Sequence, residues 1–232
     1  MNQRPLRICL LGYRSNPHSG GQGGYIKNLS QALNQLGHQV DVVSGPPYPE
    51  LAPGVNLVKL PSLDLYNPRD PFRVPKAREL KDVTNLLEWL GISTMGFTEP
   101  FTFGLRAARW MERHKHRYDV VHDNQSLSYG IWSIKKKLPT LATIHHPITV
   151  DRQIAVKSAP HLYQKLKELR WFSFLDMQKR VAPTLPHIIT VSECARRDIC
   201  RDFNVDPQRF SIVPNGIKIG RASCRERVCH RV

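Results

Sequence analysis

Apolar and polar positions along the chain alternate between two spacings, one typical of buried strands and one typical of amphipathic helices. The first apolar run, residues 6–11, ends at Gly12 and predicts a strand buried on both faces. Apolar residues then recur at helical spacing, at Ile26, Leu29, Leu33 and Leu36. A valine-rich run at residues 40–43 predicts a second strand. The first part of the chain is therefore expected to form a strand–helix–strand unit with two parallel strands.

The same alternation continues towards the C-terminus. Further strands are predicted over residues 55–60, 119–122, 140–145, 187–191 and 212–213. Helices are predicted over residues 76–90, over 98–116, within an amphipathic segment at 160–181, and after Ser192, a predicted N-cap. The last helix carries Ala195, Ile199 and Phe203 on one face. This order predicts an α/β fold with a doubly wound, mostly parallel sheet, in which ligands bind at the carboxyl ends of the strands.

Composition restricts the class of protein. The chain has 232 residues, of which 41% are hydrophobic and 23% charged, as expected of a globular protein. No apolar run approaches the roughly 20 residues of a membrane-spanning helix or the about 7–15 residues of a signal-peptide core. We therefore expect a cytoplasmic protein. Five cysteines, an odd number, argue against a disulfide scaffold.

The last fifteen residues contribute part of the formal net charge of +15. Residues 218–232 contain five basic residues and one acidic residue, which leaves +11 for the remainder. Their sequence has no helical or strand periodicity, and IGRASCRERV resembles the translation of a sequencing adapter. We interpret residues 1–217 as the folded domain and residues 218–232 as a non-native, disordered basic tail. The alternative is a genuine tail that binds nucleic acid or anionic lipid.

A glycine cluster lies between the first strand and the first helix, in the sequence SGGQGG at residues 19–24. Glycine lets the backbone approach a ligand closely, and the following helix N-terminus offers free N–H groups to a phosphate or pyrophosphate. The dinucleotide-binding fingerprint is not satisfied, because position 26 is Ile26 and no acidic residue follows the second strand. A Walker phosphate loop is also excluded, since no Gly-Lys-Ser/Thr follows the cluster.

Five segments, in order, carry a resemblance to a known family. They are GGQGGYIKNLSQALNQLGHQVDVVS at residues 20–44, DVVHDNQSLSYG at 119–130, TIHHP at 143–147, ITVSECARRDI at 189–199 and IVPNGI at 212–217. The ordered set resembles the N-terminal half of the family 4 glycosyltransferases, whose fold is called GT-B. Such enzymes have two Rossmann-like domains, of which the N-terminal one mainly binds the acceptor and the C-terminal one holds a nucleotide-sugar.

The resemblance implies transfer of a hexose from a nucleotide-sugar donor to an acceptor hydroxyl, with retention of anomeric configuration. The acceptor is expected to be a glycan or a lipid-linked sugar. The resemblance ends at Asn215-Gly216-Ile217, where the connection to the family's second domain would begin. We therefore expect a single Rossmann-like domain that lacks transferase activity by itself.

The resemblance also implies roles for particular residues. Gly20 and Gly21 would approach the donor diphosphate, and His145 would lie near the reacting sugar as the catalytic residue. His146 could serve in place of His145 or bind the acceptor. Asp123 and Asn124 follow the strand at 119–122 and could hydrogen-bond an acceptor hydroxyl. For these two residues an ordinary turn-capping role is an equal alternative.

No metal is expected at this site. Ten histidines provide only two tight pairs, His114 with His116 and His145 with His146. No cysteine or carboxylate ligand lies at a convincing spacing from them, and no Asp-x-Asp sequence occurs. We therefore expect no cofactor, and the nucleotide-sugar donor is a co-substrate.

The basic charge leaves two further interpretations open. The segment at 160–181 could rest on an anionic membrane surface, or it could pack on the sheet and expose a solvated basic face. No nucleic-acid-binding motif accompanies the charge, so a nucleic-acid partner is not expected. The alternative function is a stand-alone basic module that binds an acidic glycan or a lipid headgroup.

Overall fold

A computed structural model describes residues 4–18, 21–67, 70 and 73–216. Its seven strands form one sheet in which all neighbouring strands are parallel, in the order β3-β2-β1-β4-β5-β6-β7. The strands are Arg7–Gly12 (β1), Gln39–Ser44 (β2), Asn56–Lys59 (β3), Val120–Asn124 (β4), Thr140–Thr143 (β5), His187–Thr190 (β6) and Phe210–Ile212 (β7). The predicted α/β, Rossmann-like fold is confirmed, and every strand predicted from the sequence is present.

Within the described residues, eight α-helices connect and flank the strands. They are Gly21–Gln35 (α1), Val83–Ser93 (α2), Glu99–His114 (α3), Tyr129–Ile134 (α4), Thr149–Ser158 (α5), Leu162–Trp171 (α6), Phe174–Val181 (α7) and Glu193–Phe203 (α8). The predicted cap of the last helix is confirmed, because the Ser192 hydroxyl accepts a hydrogen bond from the Ala195 amide at 3.1 Å. Two expectations need correction. The segment at 160–181 forms two helices, and α1 starts at Gly21, inside the glycine cluster.

The sheet separates two apolar layers, as the period-2 geometry of strands requires. Ile8 and Leu10 of β1 pack with Ile26 of α1 on one face. Cys9 and Leu11 point to the other face, into a larger core that also contains residues of α3, α4, α7 and α8. Strand β1 is therefore buried on both faces, as its continuous apolar sequence predicted.

Helices α3 and α4 approach so closely that their main chains touch. A Cβ atom built on Gly130 would lie 1.9 Å from the Gly104 carbonyl oxygen, far inside van der Waals contact. Only glycine fits at such a position. The contact fixes α4, and with it the turn that joins β4 to α4, against the first half of α3.

Helix α6 is unusual because none of its ten residues is buried. Leu162, Leu166 and Leu169 are 72%, 56% and 42% exposed. The interpretation that this segment packs on the sheet is therefore wrong for α6, although α7 does pack there through Phe174 and Leu175. In the described ranges, no helix combines the length and apolar character needed to cross a membrane. The tail at 218–232 lies outside the described residues.

Candidate functional site

The carboxyl ends of β1, β4 and β5 lie side by side at one edge of the sheet. Leu11 of β1 pairs with Asp123 of β4, and Asn124 pairs with Thr143 of β5. Helix α1 begins near this edge, and its residue Tyr25 reaches across to β5. The topology thus brings together the glycine cluster and the two polar strand ends that the sequence singled out, as expected for parallel sheets.

Tyr25 connects α1 to the end of β5 through a hydrogen bond. Its hydroxyl lies 2.9 Å from the Thr143 Oγ1 atom, which also lies 2.7 Å from Nε2 of His122. His122 is buried, and burial, assisted by the nearby His145, lowers its pKa to about 4. His122 is therefore a neutral hydrogen-bonding group at physiological pH.

His145 lies two residues beyond the end of β5 and is half-buried. Its ring meets the Tyr25 ring at right angles, with centroids 4.6 Å apart. Its Nε2 atom lies 2.9 Å from Oδ1 of Asn124. Because a carboxamide oxygen only accepts, Nε2 carries the proton and Nδ1 keeps its lone pair. Burial, followed by the charge of His146, lowers the pKa of His145 to about 4, so the ring is neutral.

Asp123 is fully buried near the end of β4, and its side chain reaches the turn that follows the strand. Its carboxylate accepts hydrogen bonds from the Ser126 hydroxyl at 2.5 Å and from the Leu127 amide at 2.8 Å. Burial raises its pKa to about 6, against these hydrogen bonds. The geometry is that of a turn cap. The turn-capping alternative is therefore the one that the structure shows, and contact of Asp123 with the acceptor stays a prediction.

Asn124 is also buried, with 3% of its surface exposed. Its Oδ1 atom is occupied by His145, and its Nδ2 atom has no hydrogen-bond partner in the described part of the chain. The amide oxygen thus serves His145, and direct contact of Asn124 with an acceptor hydroxyl stays a prediction. The same oxygen fixes the tautomer and orientation of the His145 imidazole.

His146 differs from His145 in exposure. Its side chain is 65% exposed, with Nε2 4.0 Å from a carboxylate oxygen of Asp151. Its carbonyl oxygen accepts a hydrogen bond from Nε2 of Gln125 at 2.8 Å. An exposed ring at the sheet edge is free to meet a ligand, so acceptor contact by His146 stays a prediction.

The glycine cluster is only partly described, and Gly20 lies outside the described residues. Gly21 is the first residue of α1 and is exposed. A Cβ atom on Gly23 would lie 2.1 Å from the Asn16 carbonyl oxygen, whereas one on Gly21 would meet no atom within 4 Å. Glycine is therefore required by packing at position 23 and not at position 21. The first turn of α1 contains no acidic residue, so its free N–H groups and positive dipole end are not neutralised locally.

A second polar cluster near the start of α1 was not predicted. The Arg14 guanidinium bonds both carboxylate oxygens of Glu99 at 2.8 and 3.0 Å. Burial nevertheless raises the pKa of Glu99 to about 7, against the opposing effect of Arg14. The neighbouring Tyr13 hydroxyl accepts a hydrogen bond from Gln22 of α1 at 3.3 Å. In the sequence, this cluster is indicated by the polar residues that come directly after β1.

A metal site has no candidate ligands in the described ranges. No three histidine, cysteine, aspartate or glutamate side chains there lie together in a way that could hold a metal ion. The metal-free site expected from the sequence stays a prediction.

One protein family matches most of the chain. Residues 19–221 match the profile of the family described as Glycosyltransferase Family 4. The "MMP alpha-(1->4)-mannosyltransferase" of Mycolicibacterium hassiacum is 48% identical over 230 residues, which is 98% of this chain and 56% of that protein. The chain thus spans about half the length of this curated relative.

Solved glycosyltransferase structures share the fold at low sequence identity. WaaG, a glycosyltransferase involved in lipopolysaccharide biosynthesis, has a TM-score of 0.55 and 12% identity, over 90% of this chain and 45% of WaaG. The catalytic domain of starch synthase IV from Arabidopsis thaliana has a TM-score of 0.52 and 12% identity, over 92% of this chain and 52% of that domain. These comparisons do not support a stand-alone binding module. Because the family profile covers most of the sequence, the chain belongs to glycosyltransferase family 4.

Proposed function

We propose that this chain forms the acceptor-side domain of an enzyme that transfers a mannosyl group from a nucleotide-sugar to a hydroxyl of a glycan or lipid-linked acceptor. The observation that carries the proposal is the placement of His145. Its unprotonated Nδ1 lies at the carboxyl edge of the sheet, and Tyr25 joins it to the first turns of α1. The choice of mannose rests on the name of the 48% identical relative.

The role of His145 follows from its protonation state. A neutral imidazole with a lone pair on Nδ1 accepts a hydrogen bond from the acceptor hydroxyl and so orients its oxygen towards the anomeric carbon. A pKa of about 4 makes the ring a weak base, so orientation is its main contribution. As the new glycosidic bond forms and the bond to the diphosphate breaks, the hydroxyl proton passes to the departing phosphate or to water. Retention of configuration is part of the proposal.

The start of α1 is proposed to face the donor diphosphate. Free N–H groups and the positive end of the helix dipole favour an anion at this point. Replacement of Gly21 by Asp adds a negative charge to the first turn, which stabilises the helix by roughly 0.3–1 kcal/mol and repels a bound anion. In an active fusion with the C-terminal portion of the Mycolicibacterium relative, we expect Gly21→Asp to raise both the unfolding free energy and the donor KM, with Gly21→Ala as the uncharged control. A donor KM equal to that of Gly21→Ala would remove the helix from the proposed site.

Transfer itself is tested on the chain alone and on a fusion with the remaining, C-terminal portion of the Mycolicibacterium relative. Both proteins are incubated with GDP-mannose or UDP-mannose and a mannoside acceptor, with and without EDTA. We expect product only from the fusion, and the same rate in EDTA. Turnover by the 232-residue chain would contradict the proposal that it supplies only the acceptor-side domain. Loss of turnover in EDTA would contradict the metal-free site.

Contact with an anionic membrane is a second proposal, supported by α6. Its exposed leucines are accompanied by Lys165, Lys167 and Arg170, which is the composition of an interfacial helix. We expect the chain to float with vesicles that contain phosphatidylglycerol and not with pure phosphatidylcholine. Leu166→Glu should abolish flotation. Equal flotation of this variant and the parent chain would exclude α6 as the contact.

A further inference from the structure

The backbone of the two adjacent histidines is held by one side chain. Gln125 accepts a hydrogen bond from the His145 amide on its Oε1 atom at 2.8 Å. It donates another from Nε2 to the His146 carbonyl oxygen at 2.8 Å. The last residue pair between β4 and β5 is Asn124 with Thr143. The carboxamide of Gln125 thus continues the pairing of the two strands beyond the point where their backbones separate.

Gln125 occupies a backbone conformation that few residues other than glycine adopt. Its φ angle is 56°, and that of Leu127 in the same turn is 46°. Such left-handed conformations are strained and persist where the surroundings enforce them. Here the buried Asp123 carboxylate closes the turn. The consequence is that the Gln125 side chain, which is 4% exposed, points back towards residues 145 and 146.

A second glutamine holds the turn from the opposite side. Gln178 of α7 is 1% exposed and donates from Nε2 to the carbonyl oxygens of Gln125 at 3.1 Å and Ser126 at 3.3 Å. Its Oε1 atom is buried and has no hydrogen-bond partner within the described ranges. A buried oxygen without a hydrogen-bond partner lowers the stability of the folded protein. A leucine or methionine in its place would avoid that cost, and the two bonds to the turn are what the glutamine adds.

We infer that Gln125 is a positioning residue for His145, and that Gln178 holds Gln125 in place through the backbone of the turn. The contacts join α7 to the turn, the turn to the backbone of residues 145–146, and that backbone to the imidazole between Asn124 and Tyr25. The inference depends on the proposed function only because that function gives His145 its role in sugar transfer. The positioning itself is measurable without turnover.

The experiment follows the His145 ring by ¹H–¹⁵N NMR in the full chain labelled with ¹⁵N-histidine. Its signals are assigned with His145→Gln. The titratable groups that face it are His122, His146 and Tyr25, and the first two are followed in the same spectra. Gln125→Met removes both hydrogen bonds at nearly constant volume. Gln35→Met, at an exposed position of α1, is the matched control.

With Gln125→Met we expect the titration midpoint of His145 to rise by one pH unit or more towards its ordinary value, and both tautomers to be populated. The control should leave the ring signals unchanged. Gln178→Met should move them in the same direction and by less. A Gln125→Met protein that is folded, less stable, and unchanged in its His145 signals would overturn the inference, because a structural role alone gives that result.

Gln125→Glu provides the test if Gln125→Met does not fold. A protonated glutamic acid both accepts and donates, so it reproduces both bonds at low pH and loses the donor when it ionises. We expect native His145 signals at pH 5 and altered tautomer populations at pH 8. Identical His145 signals at the two pH values would overturn the inference. In the active fusion, Gln125→Met should lower kcat at least 10-fold with little change in KM. Altered NMR signals with unchanged kcat would leave the positioning intact and contradict the proposed function of His145.

Discussion

The rings of Tyr25 and His145 meet at an angle of 89°, with their centroids 4.6 Å apart. Tyr25 lies in the second turn of α1, four residues after Gly21, so the two residues share one face of the helix. The contact therefore joins the start of α1 to the histidine at the end of β5. The Tyr25 hydroxyl strengthens the link through Thr143.

Two substitutions at Tyr25 separate the contribution of its hydrogen bond from that of its ring contact. Tyr25→Phe removes the bond to Thr143 and keeps the ring contact, which should lower the free energy of unfolding by about 1 kcal/mol. Tyr25→Leu also removes the ring contact and should cost about another 1 kcal/mol. Urea denaturation measures both. Tyr163→Phe, at a tyrosine that is 65% exposed, is the control. Equal stability of Tyr25→Phe and Tyr25→Leu would show that the ring contact contributes no stability.

Replacement of either histidine in the active fusion distinguishes their roles. His145→Gln should lower kcat roughly 100-fold, because the acceptor hydroxyl loses the hydrogen bond that orients it. His146→Gln should raise the acceptor KM several-fold and leave kcat within a factor of three, because its ring is exposed. Initial rates at varied acceptor concentration measure both constants. If His146→Gln gives the larger loss of kcat, the two assignments are reversed.

Buried His122 predicts a loss of stability in acid. Its pKa is lowered from 6.5 in the unfolded chain to about 4 in the folded protein, so the unfolded state binds the proton more tightly between these values. The contribution is fully present above pH 6.5 and is lost as the pH falls to 4, by roughly 3 kcal/mol at most.

The measurement compares the free energy of unfolding of the parent chain with that of His122→Gln from pH 7 to pH 4. The pKa values of Asp123 and Glu99 are raised in the folded protein, so these two groups add stability as the pH falls. Both are present in the parent chain and in the variant, so their contributions cancel in the difference. We expect the parent chain to lose more stability than the variant on acidification. Parallel curves would show that His122 does not titrate differently in the two states.

Adjacent glycines in α1 should respond in opposite directions to alanine. Gly24→Ala places its methyl group in open space and should stabilise the protein by roughly 0.5–1 kcal/mol, since alanine is the better helix former. Gly23→Ala forces a carbon to within 2.1 Å of the Asn16 carbonyl oxygen and should destabilise it by more than that amount. Thermal unfolding of the two variants is the measurement. Equal shifts in Tm would show that the loop before α1 moves freely.

The strands were predictable because parallel strands buried on both faces leave uninterrupted apolar runs in the sequence. Helix α1 was placed too late because glycine has a poor helix propensity, and only the packing of Gly23 against Asn16 explains why the helix includes it. The six-residue helix α4 carries too short a pattern for recognition. Its position depends on a contact with α3 that no local signal records.

Within the site, His145 was predictable from its position at a strand end and from the family resemblance. Its partners were not. Tyr25 and Thr143 are 118 residues apart in sequence, and Gln125 and His145 are 20 apart, so only the folded sheet brings them together. Asp123 and Asn124 are the last two residues of β4, and the sequence could not show that both side chains would bond inside the protein.

Between Gly104 and Gly130 the separation of two helices is determined by the radii of bare backbone atoms. A methyl group added at Gly130 would meet the Gly104 backbone, and one added at Gly104 would meet the Ser128 side chain at 1.8 Å. A displacement of α4 would pass directly into residues 125–128 and from there to the amide of His145, so a one-carbon change at either glycine should alter chemistry at the far end of the loop as well as packing where it occurs.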